Sequence, residues 1–147
     1  IRDETALVPG LDGQKMSKSY GNTIPLFGTD EEIKKAVMSI VTDSKTPDEP
    51  KDPDACNIFA LHKLFLNSAK LQALRDRYIN GGLGYKESKE MLLMEILSVI
   101  APLRDTRKMY EENPDFVKQI LQKGAEKARA QVQNKMRTVR AIVGVNY

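Results

Sequence analysis

At 147 residues, 41% of them apolar and 29% charged, the chain has the size and composition of one ordinary globular domain. A single cysteine, Cys56, and a single histidine, His62, exclude an internal disulfide, a cysteine-based zinc cage and a multi-histidine metal site. Net charge is only +3, but residues 114–147 hold seven Lys/Arg against two acids, which is +5, while the rest carries −2; so basic a segment invites a polyanion, nucleic acid before membrane, the plain alternative being a solvated helix face.

In chain order, residues 4–8 read as the end of a strand. Residues 9–28 form a loop, punctuated by Pro9-Gly10, Asp12-Gly13, Gly21-Asn22 and Pro25. Thr29 and Glu32 have capping-box spacing and open a helix from Asp30 to about Val41, with Ile33, Val37, Met38 and Val41 on one face. A second loop, 43–54, holds Pro47, Pro50 and Pro53 and reads as a rigid connector. Two helices follow, at about 55–66 and 69–80, the latter capped by Ser68 and ended by Gly81-Gly82-Leu83-Gly84.

The next helix, about 85–112, is apolar almost all round between Met91 and Leu103, which predicts the central, least exposed helix. That run is shorter than the roughly 20 residues a membrane span needs. Pro102 should kink or split it. Asn113 as N-cap and Pro114 at the first helical position open a last helix ending near Gly144. Its stripe of Phe116, Ile120, Leu121, Ala125, Ala128, Val132, Met136, Val139 and Val143 is expected to face inward, with Gly124, Ala125 and Ala128 admitting a close neighbour. The fold class is mainly α, a helical bundle behind a glycine-rich loop.

The stretch that carries chemistry is Pro9-Gly-Leu-Asp-Gly-Gln-Lys15-Met16-Ser17-Lys18-Ser19-Tyr20-Gly21-Asn22. Lys15 and Lys18 are flexible ammonium groups with three donors each, and Ser17, Ser19 and exposed backbone N–H groups add neutral donors. Such a loop suits a mobile clamp on phosphate oxygens, strongest where negative charge builds up. It lacks the Gly-x4-Gly-Lys-Ser/Thr spacing of a Walker A loop. Elsewhere structural roles are expected. His62 reads as a structural or surface histidine, Cys56 as a structural thiol near a helix start, and Met91, Met94 and Met109 as core fillers. Asp43, ending the first helix, is a candidate to steady the motif loop.

Lys15-Met16-Ser17-Lys18-Ser19 is KMSKS, and here the chain resembles the class I aminoacyl-tRNA synthetases. Pro9 to Gly13 before the motif and Tyr20-Gly-Asn-Thr-Ile24 after it are similar to the bacterial-type tryptophanyl-tRNA synthetase family. So are Val41-Thr42-Asp43-Ser44 and Lys123-Gly-Ala-Glu-Lys-Ala-Arg-Ala130, and the likeness covers essentially the whole chain. The resemblance implies that residues 1–28 end a Rossmann-type catalytic domain with its KMSKS loop, and that 29–147 form the C-terminal helical domain. The HIGH-type motif and the amino-acid pocket of that family are not in this sequence, so the chain reads as a fragment, inactive alone.

The resemblance also assigns roles. Lys15 and Lys18, with Lys18 the stronger candidate, would hold the β- and γ-phosphates of ATP as pyrophosphate leaves and tryptophanyl-adenylate forms. Met16, Ser17 and Ser19 would shape the loop and donate to the same oxygens. Backbone at Ala6, or alternatively Val8, would contact adenine. Mg2+ would accompany ATP through phosphate oxygens, without a carboxylate ligand named here. The implied partners are tRNA(Trp), ATP and tryptophan, with no membrane, a homodimer for the whole protein and a cytoplasmic location. The alternatives are a tyrosyl-tRNA synthetase relative and a non-catalytic helical module binding tRNA or protein.

Overall fold

The computed structural model describes residues 7–145, and among them all regular structure after Gly28 is helical. The five α-helices are α1 (Asp30–Met38), α2 (Asn57–Phe65), α3 (Ser68–Asn80), α4 (Tyr85–Glu112) and α5 (Pro114–Val143). The chain divides into two compact units, one up to Arg104 and one from Asp105 onward, the boundary falling within α4. Residues 4–6 of the expected strand end lie outside the described residues.

In the first unit, α1 opens on the expected capping box. The Thr29 hydroxyl accepts from Glu32 N at 3.2 Å, and the Glu32 carboxylate accepts from Thr29 N at 2.7 Å. Such a cap contributes about 1 kcal/mol. The helix stops at Met38 rather than Val41, because the Val41 N–H is taken by the Leu11 carbonyl at 2.9 Å. At its C-terminal end the Lys89 ammonium donates to the carbonyls of Met38 and Ile40 at 2.9 and 2.7 Å. A cation there satisfies orphan carbonyls and complements the helix dipole.

The α3 cap is Asn67, not Ser68: the Asn67 side chain accepts from Lys70 N at 3.0 Å, and Ser68 becomes the first helical residue. The proline loop is indeed anchored, by a device the sequence did not reveal. Lys51 is buried, and its ammonium donates to the carbonyls of Thr46, Pro47 and Glu49 at 2.7, 3.2 and 2.9 Å, with the Tyr85 ring 5.3 Å away. Its backbone N–H holds the Tyr78 carbonyl at 2.7 Å, tying the loop to the end of α3.

The core is built from Ile33 and Val37 of α1, Ile58, Phe59 and Leu61 of α2, Leu74 and Tyr78 of α3, and Leu92, Ile96 and Ile100 of α4. On α4 the buried line is Ser88, Leu92, Ile96 and Ile100, four residues apart. Met94, Val99 and Leu103 are exposed, so the apolar run is not covered on all sides. Met94 and Met109 are therefore exposed side chains, and of the three methionines expected as core fillers Met91 alone packs against the core. Pro102 lies on the exposed side and α4 continues through it, without splitting.

In the second unit, Tyr110 and Phe116 stack with ring centroids 6.1 Å apart and planes 3° from parallel. Asn113 does not cap α5; its side-chain amide donates instead to the Met109 carbonyl at 3.1 Å, closing the end of α4. No residue of α5 is buried. Its stripe from Phe116 to Val143 is exposed apart from a half-buried Ala125, and nothing stands within 4 Å of where a Gly124 Cβ would be. The inward-facing stripe is thus corrected. Periodicity identifies an apolar face, but burial needs a covering surface.

His62 is structural, as expected. It is fully buried, with Nε2 3.1 Å from the Ser88 carbonyl and 3.3 Å from the Ser88 hydroxyl, while Nδ1 has no protein partner among the described residues. The Tyr78 hydroxyl completes the cluster, 2.7 Å from Ser88 Oγ. Desolvation holds the imidazole below its usual value, outweighing the opposing Ser88 bond and Glu95 charge. The unfolded chain then binds the proton more readily. The stabilising contribution is complete above the unfolded value, about 6.5, and is lost as pH falls from there toward the lowered folded value. Urea unfolding between pH 8 and pH 5 should show stability falling by up to about 1.4 kcal/mol per pH unit in this window. His62→Gln should flatten that slope; an equal slope in both proteins would assign it to other groups.

Candidate functional site

The KMSKS residues sit on a loop shaped by its own backbone. Met16 N donates to the Val8 carbonyl at 2.8 Å, Gly10 N to the Gln14 carbonyl at 2.6 Å, and Pro9 pairs with Lys15 as an isolated antiparallel bridge. The turn between them needs Gly13, whose φ of +80° is a left-handed conformation and whose Cα faces the Asn57 side chain, too close for a Cβ. After the turn, Lys18–Tyr20 make one 3-10 turn ended by Gly21.

Asn22 fills the inside of this loop and is 4% exposed. Its Oδ1 accepts from Ser17 N at 2.7 Å, and its Nδ2 donates to Asp12 Oδ1 at 2.8 Å and to the Lys15 carbonyl at 3.2 Å. Its own carbonyl accepts from Leu11 N at 3.0 Å. Sequence reasoning named Asn22 only as a turn former. The overlooked signal was a short amide side chain directly after a glycine, inside a loop rich in backbone groups needing partners. The Asn22 amide, more than the Gln14 N–H, holds the Asp12 carboxyl below the usual carboxylate range.

Lys15 and Lys18 are both exposed, and neither ammonium has a protein partner among the described residues. Ser17 Oγ and Ser19 Oγ lie 2.8 Å apart, bonded to each other and open to solvent. Met16 is half-buried and packs against the core, so it anchors the motif between its two lysines. Two unpaired cations and two hydroxyls on one short exposed loop are what an anionic ligand would meet. Beside the loop, a cleft of about 300 Å3 is lined by Val8, Lys15 and the α2 residues Ala60, Lys63 and Leu64. Val8 therefore lies at a ligand-sized opening, while Ala6 lies outside the described residues.

The loop is fastened to the helices below it. Val41 N bonds the Leu11 carbonyl, and Asn57 Nδ2 donates to the Val41 carbonyl at 3.1 Å. Asp43, a candidate to steady the loop, makes its bonds elsewhere. Its carboxylate accepts from the Tyr85 hydroxyl at 2.7 Å and from Lys45 N at 3.0 Å. Among the described residues, no group of three His, Cys, Asp or Glu side chains could hold a metal ion. No described helix is long and apolar enough to cross a membrane.

Residues 3–101 match the family described as tRNA synthetases class I (W and Y). The chain is 46% identical over 145 residues to a tryptophan–tRNA ligase of Fusobacterium nucleatum, covering 99% of this chain and 44% of that protein. It is 42% identical over 148 residues to the tryptophan–tRNA ligase of Campylobacter jejuni, covering 99% of this chain and 46% of that protein. The crystal structure of tryptophanyl-tRNA synthetase from Campylobacter jejuni complexed with ADP and tryptophan superposes with a TM-score of 0.89 at 41% identity, over 98% of this chain and 45% of that one. The chain thus spans less than half the length of these relatives. With the family match across most of its length, this chain belongs to the class I tRNA synthetases of the tryptophan and tyrosine (W and Y) family.

Proposed function

We propose that this chain is the C-terminal part of a tryptophan–tRNA ligase, with residues 1–28 ending its catalytic domain and 29–147 forming its helical domain. The observation that carries this reading is the exposed KMSKS loop with two ammonium groups unpaired among the described residues, in a chain 46% identical to a tryptophan–tRNA ligase. In the complete ligase, Lys15 and Lys18 bind the β- and γ-phosphate oxygens of ATP and gain most as charge accumulates on departing pyrophosphate. Ser17 and Ser19 hydroxyls exchange their mutual bond for the same oxygens, and Met16 keeps the loop seated. Adenine lies against backbone near Ala6, with Val8 at the adjoining cleft as the alternative. ATP arrives with Mg2+ held on its phosphate oxygens, and no residue of this chain is assigned to the ion. A homodimeric, cytoplasmic enzyme follows from the same reading.

The helical domain contacts tRNA(Trp). Among the described residues, six Lys/Arg of α5 are exposed without an ion pair; Lys118, also exposed, pairs with Asp115 at 3.2 Å. One face of α5 can reach phosphates at a time. With about three contacts, log K should fall against log salt with a slope of roughly −2 to −3. Titrating the chain with its cognate tRNA at rising salt tests this half of the reading. Absent binding even at low salt would leave α5 without a role on tRNA. The chain alone should show no ATP–pyrophosphate exchange, and exchange by it alone would overturn the division of labour.

A further inference from the structure

We propose that Asn22 is the positioning residue of the phosphate clamp, its side-chain amide fixing the backbone on which Lys15, Ser17 and Lys18 are carried. This rests on the clamp reading above. Three side-chain bonds converge from one residue. Oδ1 takes the Ser17 N–H, and Nδ2 is shared between the Lys15 carbonyl and the Asp12 carboxylate. Both motif bonds are to main chain, so they set where the lysine stems start without consuming either ammonium. The Leu11 N–H on the Asn22 carbonyl ties the incoming strand of the loop to the outgoing one.

Gly10 is the complementary half of this device. A Cβ there would stand 2.3 Å from Asn22 Nδ2 and 2.4 Å from its Cγ, so the glycine leaves the space the amide occupies. Asp12 in turn orients the amide. An acceptor on that side requires Nδ2 to face it, which leaves Oδ1 for Ser17. Lys15 and Lys18 are long and flexible, so preorganising them depends on the backbone below. A clamp misplaced by about 1 Å can lose on the order of a hundredfold in rate.

The test uses the complete ligase and three variants: Asn22→Ala, Asn22→Asp and, as reference, Lys18→Ala. Asn22→Ala should slow adenylate formation about tenfold or more, with the KM for tryptophan unchanged. In the same protein, amide exchange of Ser17 should accelerate while that of α2 and α4 stays as in the parent. Asn22→Asp supplies the readout that a merely structural role would not move. It sets a second carboxylate against Asp12 and the Lys15 carbonyl, without a donor for either. Two carboxylates this close favour taking up a proton, and the protonated form regains one donor. The activity of Asn22→Asp relative to the parent should therefore rise as pH falls, while that of Asn22→Ala should stay level. The proposal is overturned by a parent-like rate in Asn22→Ala alongside a crippled Lys18→Ala, or by an Asn22→Asp ratio that does not change with pH. A parent-like Lys18→Ala would instead overturn the clamp reading itself.

Discussion

Lys18→Ala in the complete ligase should slow adenylate formation by on the order of a hundredfold or more, with tryptophan affinity barely changed. Removing one preorganised charge-stabilising donor has that size of effect. Lys18 opens the 3-10 turn of the loop and is exposed, and among the described residues no protein group competes for its ammonium. Alanine there removes no packing, so a loss of rate would reflect charge at the reacting phosphates rather than folding. Single-turnover formation of the adenylate reads this directly. An unaltered rate would remove Lys18 from the chemistry.

Phe59→Ala should destabilise the chain by about 3–5 kcal/mol, the usual loss for a buried phenylalanine. The ring is fully buried on α2 and meets Tyr78 edge-on, with centroids 5.3 Å apart and planes at 65°. The Lys63 ammonium and the Arg75 guanidinium lie 5.7 and 5.5 Å from its centroid, and both are held by Asp54. Truncation would open a cavity between α2 and α3 and take away the surface these cations rest on. Urea unfolding of parent and variant at pH 7.5, where His62 is neutral, measures the difference. A loss below about 1 kcal/mol would mean that the core collapses around the site.

The helix order was legible because each boundary carries its own chemistry. Thr29 with Glu32, the glycines at 81–84 and Pro114 mark starts and stops whatever the rest of the chain does. The motif loop was legible as residue types, five of them in a row. What was hidden were the bonds that side chains make to backbone and to each other inside the loops. The Asn22 amide reaches back to Asp12, Lys15 and Ser17, and Lys51 turns its ammonium onto carbonyls of its own loop. No periodicity records either. The exposed apolar side of α4 at Val99 and the unburied stripe of α5 have a different origin. A hydrophobic face can be read from spacing, but what covers it is a property of the surroundings.

ATP–pyrophosphate exchange by the complete ligase, with tryptophan and with tyrosine, is the decisive measurement. Exchange should depend on tryptophan, stay near background with tyrosine, and collapse when Lys18 is replaced. Exchange driven by tyrosine, or no exchange with either amino acid, would contradict a tryptophan–tRNA ligase.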